Sequence, residues 1–269
     1  MEDPATATSA DDAKVRAADV DAAVFELRDD ACKHLSIANQ MFCTDSTLKR
    51  FLRARSYDLA KASAMLKATL AWRERERPEH ITFDDIQAAT VTGRVELMSD
   101  PDTSGLPVIL YRLRQKMPDL PPETQVNFLT YILESSAHVA DASTSAEGKC
   151  CWLFDMAAYD RKNSPPLAVV RECINLFQNH YPERLGKAIV YQPNWAFRMV
   201  YSLISPFLDP VTRSKIEFIS TSSEEQRVEQ LSKLVASSAV DACAATRPDV
   251  DVESYAQRMR QLDAVPPYE

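Results

Sequence analysis

Apolar positions along this chain change their spacing near Gly93. From about Val20 to Pro78 they recur at three and four residues, the helical period. Asp45 and Ser46 offer N-cap chemistry ahead of residues 47–55. In that stretch Leu48, Phe51 and Leu52 share one face, and Lys49, Arg50 and Arg53 crowd the others. Asp58 is placed to cap a second helix, Leu59 to about Glu76, with Pro78 just beyond it. Short helices of this kind pack as an antiparallel cluster.

Past Gly93 the pattern becomes that of an α/β layout. The turn Asp100–Gly105 precedes a strand over Pro107–Tyr111, and residues Glu123–Ala140 follow as a helix. Cys150–Phe154 is nearly continuous in apolar character, which suits a strand buried on both faces of a parallel sheet. Ser164-Pro165 reads as a helix start, and Leu167, Val170, Ile174, Phe177 and Tyr181 continue that helix. A strand over Ala188–Tyr191, a helix over Asn194–Leu208 and a strand over Lys215–Ile219 come next. Strands joined through helices predict parallel pairing with right-handed crossovers. Helices over Glu224–Ala236 and near Tyr255–Leu262 close the chain. The expected organisation is an acidic flexible tail (1–20), a helical module (21–92), an α/β domain (93–240) and a C-terminal tail (241–269).

Composition mainly excludes. Only Gly93, Gly105, Gly148 and Gly186 occur, too far apart for a dinucleotide turn, a P-loop or a nucleophile elbow. The four histidines form no i, i+4 pair, and the six cysteines no C-x-x-C. The first 30 residues hold nine acids and three bases and no apolar segment of the secretory kind. No apolar run approaches the roughly 20 residues that cross a bilayer. These features predict a cytosolic protein with reduced thiols. The net charge of −8 argues against nucleic acid as the main partner.

Topology brings three candidate residues together. Glu183 precedes the strand at 188–191, Lys215 opens the next strand, and Thr212 lies one turn earlier. If those strands are neighbours, the three meet at one sheet edge. A cation, a hydroxyl and a carboxylate there suit a phosphorylated, hydroxyl-rich head group. A plain surface ion pair, worth roughly 0–1 kcal/mol, is the commoner outcome for such residues. Ligands of open α/β sheets also usually sit at the opposite strand ends. The helix 194–208 is apolar nearly all round, with one charge at Arg198, so it is either a core helix or a cover over an apolar cavity. The basic cluster Lys49, Arg50, Arg53 and Arg55 is either a solvated face or a phosphate or membrane contact. No catalytic set stands out. His180 has no evident nucleophile partner, Cys150 and Cys151 suit packing, and Asp155 and Asp160 suit strand ends and turns.

Three segments carry a resemblance. Lys49–Arg55 (KRFLRAR), Tyr181–Lys187 (YPERLGK) and Pro206–Lys215 (PFLDPVTRSK), in this order and spacing, closely resemble the CRAL-TRIO lipid-binding family, in its phosphatidylinositol transfer branch. The likeness covers roughly residues 45–220. It implies a helical N-terminal module and a mostly parallel sheet flanked by helices, with a gate helix over a hydrophobic pocket. Matched by motif position, the head-group contacts are Arg55, Glu183, Thr212 and Lys215. The gate matches about Trp195–Leu208, so Trp195, Phe197, Val200, Leu203, Ile204, Phe207 and Leu208 belong to gate and pocket, with Trp152 and Phe177 in the pocket wall. The implied activity is non-enzymatic. Single phosphatidylinositol molecules are exchanged between membranes and presented to lipid kinases, by a monomer that touches membranes transiently and needs no cofactor or metal beyond the bound lipid.

Two departures bear on this. Cys150, Trp152 and Phe177 stand where dual-ligand members carry small hydroxyl residues and tyrosines around choline. That argues against phosphatidylcholine as second ligand and leaves a sterol or another apolar molecule open. The family's Gly-Gly final strand is replaced by Ala236-Ser237-Ser238-Ala239. A sterol, tocopherol or retinoid carrier and a non-transferring adaptor are the alternatives.

Overall fold

In a computed structural model, residues 10–115, 118–143, 145–160, 162, 166–243 and 251–263 are described, with backbone only for 10–18 and Val252. The chain divides into two compact units between Glu76 and Arg77.

The first unit is helical: α1 (Ala10–Ala31), α2 (Ile37–Phe42), α3 (Asp45–Arg53) and α4 (Leu59–Glu76). Leu27, Leu48, Phe51, Leu52, Ala62 and Leu66 form its buried centre. Helix α1 begins at Ala10, so half of the stretch expected as a flexible tail is helical. The cap of α3 lies one residue earlier than expected. Thr44 Oγ1 accepts from Thr47 N at 3.2 Å, and Asp45 instead bonds Arg28 at 2.7 Å. Arg50 is not part of a solvated basic face. It is buried, and its guanidinium donates to Ser46 and Thr47 hydroxyls at 3.0 and 2.8 Å.

The second unit takes in residues 77–92, which the sequence reading placed with the N-terminal helices. Helix α5 (Phe83–Thr90) starts with a capping box, in which the Asp85 carboxylate accepts from Thr82 N at 2.8 Å. A five-stranded sheet follows in the order β1 (Val95–Leu97), β2 (Val108–Arg112), β3 (Cys150–Asp155), β4 (Leu185–Tyr191), β5 (Ile216–Ile219). Only the short β1 is antiparallel to its neighbour. Strands β2 to β5 are connected through α6 (Pro122–Ala142), α7 (Leu167–His180) and the pair α8 (Trp195–Ile204) and α9 (Pro210–Ser214). The expected start of α7 at Ser164-Pro165 lies outside the described residues. Lys215 does not open β5 but caps α9, and its carbonyl accepts from Ala188 N at 2.9 Å.

Alternation along the strands gives the sheet two different faces. Val108, Leu110, Cys151, Leu153, Ile189, Tyr191 and Ile219 pack against α10 (Glu224–Ser232) and α11 (Ser237–Cys243) in a solid core. Those helices occupy the segment without the Gly-Gly strand. Tyr111, Trp152, Phe154, Ala188, Val190 and Ile216 face the other way, into a hollow. The stretch expected as a C-terminal tail contains α12 (Val252–Leu262). It is anchored through the buried Tyr255, whose hydroxyl donates to the Val95 carbonyl at 2.5 Å, and through Asp263, which accepts from Phe83 N.

Candidate functional site: an apolar cavity under a gate helix

The hollow is a cavity of about 330 Å³, at the lower end of the roughly 300–1,000 Å³ of small-molecule sites. Its floor is the alternate set of strand residues named above. Its walls come from α6 (Phe128, Leu129, Ile132) and α7 (Val169, Val170, Cys173, Ile174, Phe177). Among the described residues no charged side chain lines it, and besides tyrosine hydroxyls, the Trp152 indole and the Cys173 thiol its polar side chains are Gln125, Gln178 and Thr212. Trp152 stacks on Phe154 with centroids 5.8 Å apart and meets Phe177 edge-on at 6.5 Å. These two rings therefore form one side of the cavity wall.

Helix α8 covers the cavity. Asn194 fixes its start, accepting from Phe197 N at 3.0 Å and donating to the Tyr159 carbonyl at 2.7 Å. Phe197, Val200, Tyr201, Ile204 and, just beyond, Leu208 point into the cavity. The opposite face carries Trp195, Met199 and Leu203, continued by Phe207, exposed by 76, 63, 54 and 44%. Of the two readings open for this helix, the structure has the cover, not the core helix. Trp195, Leu203 and Phe207 belong to its outer face and do not line the pocket. Two contacts from α7 hold the end of the cover. The Arg171 guanidinium lies 4.7 Å from the centre of the Phe207 ring, and Gln178 Nε2 donates to the Phe207 carbonyl at 3.1 Å.

The strand-edge group assembles at one end. Lys215 Nζ lies 3.8 Å from Glu183 Oε2, both side chains about a quarter exposed (22 and 25%). Thr212 lines the cavity beside them, and its hydroxyl donates to Asp209 Oδ2 at 2.5 Å. Burial of Asp209 is outweighed by hydrogen bonds from Thr212 and Val211, so its carboxyl stays below the usual range and ionised. With its proton committed, Thr212 is left to accept from a ligand hydroxyl. Asp209 was not singled out in the sequence, although Asp-Pro at a helix start, three residues before a hydroxyl, is an N-cap signature. Glu183 sits at φ +58, a left-handed conformation costing a side-chain-bearing residue about 1 kcal/mol. A partly exposed ion pair returns roughly 0–1 kcal/mol. Arg55 lies in the N-terminal unit, in the turn after α3, with Nη1 donating to the Ala54 carbonyl at 3.0 Å.

Of the remaining titratable candidates, Cys150, Cys151 and Asp155 lie in β3 and Asp160 in the turn beyond it. Burial pushes the Cys150 thiol up to about 11 and the Cys151 thiol to about 12. Asp155 is fully buried and its carboxyl raised by burial, against the pull of a backbone N–H and two arginines. Asp160 accepts from Lys162 N at 3.0 Å in a turn.

Residues 92–242 match the CRAL/TRIO domain family, and residues 17–68 match the CRAL/TRIO N-terminal domain family. The chain belongs to the CRAL-TRIO family. A protein named SEC14 cytosolic factor from Eremothecium gossypii is 30% identical over 202 residues, covering 70% of this chain and 65% of its own length. One named phosphatidylinositol transfer protein PDR17, from Saccharomyces cerevisiae, is 29% identical over 182 residues, 63% of this chain and 50% of its own. The chain spans less than two thirds of these curated relatives, and only 17% of a Schizosaccharomyces pombe CRAL-TRIO domain-containing protein at 30% identity. Among solved structures, that of Sfh5 shares the fold at a TM-score of 0.53 and 17% identity, covering 65% of this chain and 66% of that one. Among the described residues, no helix of this CRAL-TRIO chain is long and apolar enough to cross a membrane.

Proposed function

We propose that this CRAL-TRIO protein binds phosphatidylinositol and exchanges single molecules of it between membranes. The observation that carries the reading is the Glu183–Lys215 pair, next along the chain to the cavity-lining residues Leu185, Thr212 and Ile216. Lys215 would meet the phosphate as a point charge, while Glu183 and Thr212 accept from ring hydroxyls. The acyl chains lie along Trp152, Phe177 and the inner face of α8. Exposed apolar surface costs about 25 cal/mol per Å², so the chains stay under cover until α8 meets a bilayer. Opening the same cover would present the inositol ring to a lipid kinase. The names of two relatives, phosphatidylinositol transfer proteins PDR17 and CSR1, support the same ligand. The setting is the cytoplasm, with transient contact at membrane surfaces.

The test is transfer of labelled phosphatidylinositol between vesicles, wild type against Lys215→Ala. Wild type is expected to transfer and the variant to lose at least tenfold, since a hydrogen bond to a charged group contributes about 1.5–3 kcal/mol. Equal transfer by both removes the head-group assignment. The small cavity and the Trp152–Phe177 contact favour a second reading, a sterol or similar rigid apolar cargo. Sterol transfer indifferent to Lys215→Ala would establish that alternative.

A further inference from the structure

The helical N-terminal unit holds a second chemical feature, unrelated to the cavity. Cys32 follows the last turn of α1, and Cys43 caps the end of α2, eleven residues further along. Cys32 packs against the core cluster that holds Cys43, and each thiol acts on the other's titration. One residue holds both in place. The Arg28 carbonyl accepts from Cys32 N at 3.0 Å, and Arg28 Nη1 donates to the Cys43 carbonyl at 2.7 Å. Cys43 is buried in the unit's core and Cys32 packs half-buried against it, so a dissolved oxidant reaches Cys32 first. The other four cysteines belong to the second unit. Cys150, Cys151 and Cys243 are buried, and Cys173 lines the apolar cavity.

We propose that Cys32 and Cys43 form a reversible disulfide on exposure to a peroxide, stapling the end of α1 to the end of α2. Cys32 is the attacking sulfur. The Cys43 thiol donates to it and the Arg28 cation lies close, so its pKa falls below the ordinary thiol value. Cys43 is pushed the other way by that hydrogen bond and by burial, and it keeps its proton until the second step. In the first step the Cys32 thiolate attacks one peroxide oxygen, the O–O bond breaks, and the leaving hydroxide takes up the proton Cys32 released. The products are a sulfenic acid and water. In the second step the Cys43 sulfur attacks the sulfenic sulfur, the S–O bond breaks, and the departing hydroxide carries off the Cys43 proton as a second water. Both sulfurs are oxidised and the two peroxide oxygens reduced. A small dithiol reverses the bond by becoming a disulfide itself. The cross-link closes a ring of twelve residues, which restricts the unfolded chain and favours the folded unit.

The test is peptide mapping of the full chain after hydrogen peroxide, with free thiols alkylated before non-reducing digestion. Lys33 lies between the two cysteines, so trypsin separates them and only a disulfide keeps their peptides joined. The expected result is a linked Cys32–Cys43 species, two hydrogens lighter than the sum, formed before any other cysteine pair and lost with dithiothreitol. In Cys43→Ser, Cys32 is expected to stop at a sulfenic acid that dimedone traps. Cys32 and Cys43 both remaining alkylatable while other cysteines oxidise would overturn the proposal. So would wild-type Cys32 passing to sulfinic acid with Cys43 still free.

Discussion

Replacing Trp195 by alanine tests the proposal that the cover of the cavity meets a membrane. Trp195 leads the outer stripe of α8 and is 76% exposed, so it adds nothing to the packed core. A tryptophan presents roughly 150–250 Å². Three quarters of that, at about 25 cal/mol per Å², is about 3–5 kcal/mol if the ring enters an apolar phase fully. The bilayer interface is only partly apolar, so this is an upper bound, and about half remains a firm expectation. Vesicle binding should therefore fall by at least tenfold in Trp195→Ala, at about 1.4 kcal/mol per decade. The melting temperature should hardly move, because exposed substitutions stay within about 0.5 kcal/mol. Co-sedimentation with liposomes, followed by transfer assays, reads the first effect, and thermal denaturation the second. Undiminished vesicle binding by a folded variant would refute the view of this stripe as the membrane-contacting face.

Three further outcomes follow from named contacts. Glu183→Gly relieves the left-handed backbone at that position, so stability should hold or rise while phosphatidylinositol binding drops, read by calorimetry beside a transfer assay. Glu96→Gln should cost about 3–5 kcal/mol, roughly 10 °C in melting temperature, because the carboxylate pairs at 2.7 Å with both Arg258 and the buried Arg112; a shift under about 2 °C, the scale of roughly 1 kcal/mol, would contradict it. Asp155 keeps its proton in the folded state above the pH at which the unfolded chain gives it up. Its contribution is therefore complete at low pH and is lost as pH rises from the ordinary carboxylate value through the raised folded one. Asp155→Asn, which keeps an acceptor for Ala157 N, should flatten that fall in a series of melting curves, and parallel curves for both proteins would contradict it.

Much of the architecture was legible because it rests on periodicity. Strands β2 to β5 follow from short apolar runs between helices, α4 and α7 from helically spaced apolar positions, and the Glu183–Lys215 meeting from parallel neighbours entering one edge. What the sequence reading missed depends on local caps or on distant partners. The Thr82–Asp85 box and the Asp209 cap were visible as motifs, though each introduces a helix too short to show a period. Strand β1 has three residues and is defined by its pairing with β2. Arg50 looked like surface because its acceptors, Ser46 and Thr47, matter only once the helix winds. The Glu96–Arg258 pair spans 162 residues and needs α12 in place. Which faces of α8 turn inward was equally closed to the sequence, since both are apolar.

Native mass spectrometry of the full chain, after incubation with vesicles of mixed phospholipids and sterol, tests the central claim most directly. One phosphatidylinositol molecule per chain is predicted for the wild type, and its loss in Lys215→Ala. A chain that emerges empty, or carrying a lipid without an inositol phosphate, would contradict the account.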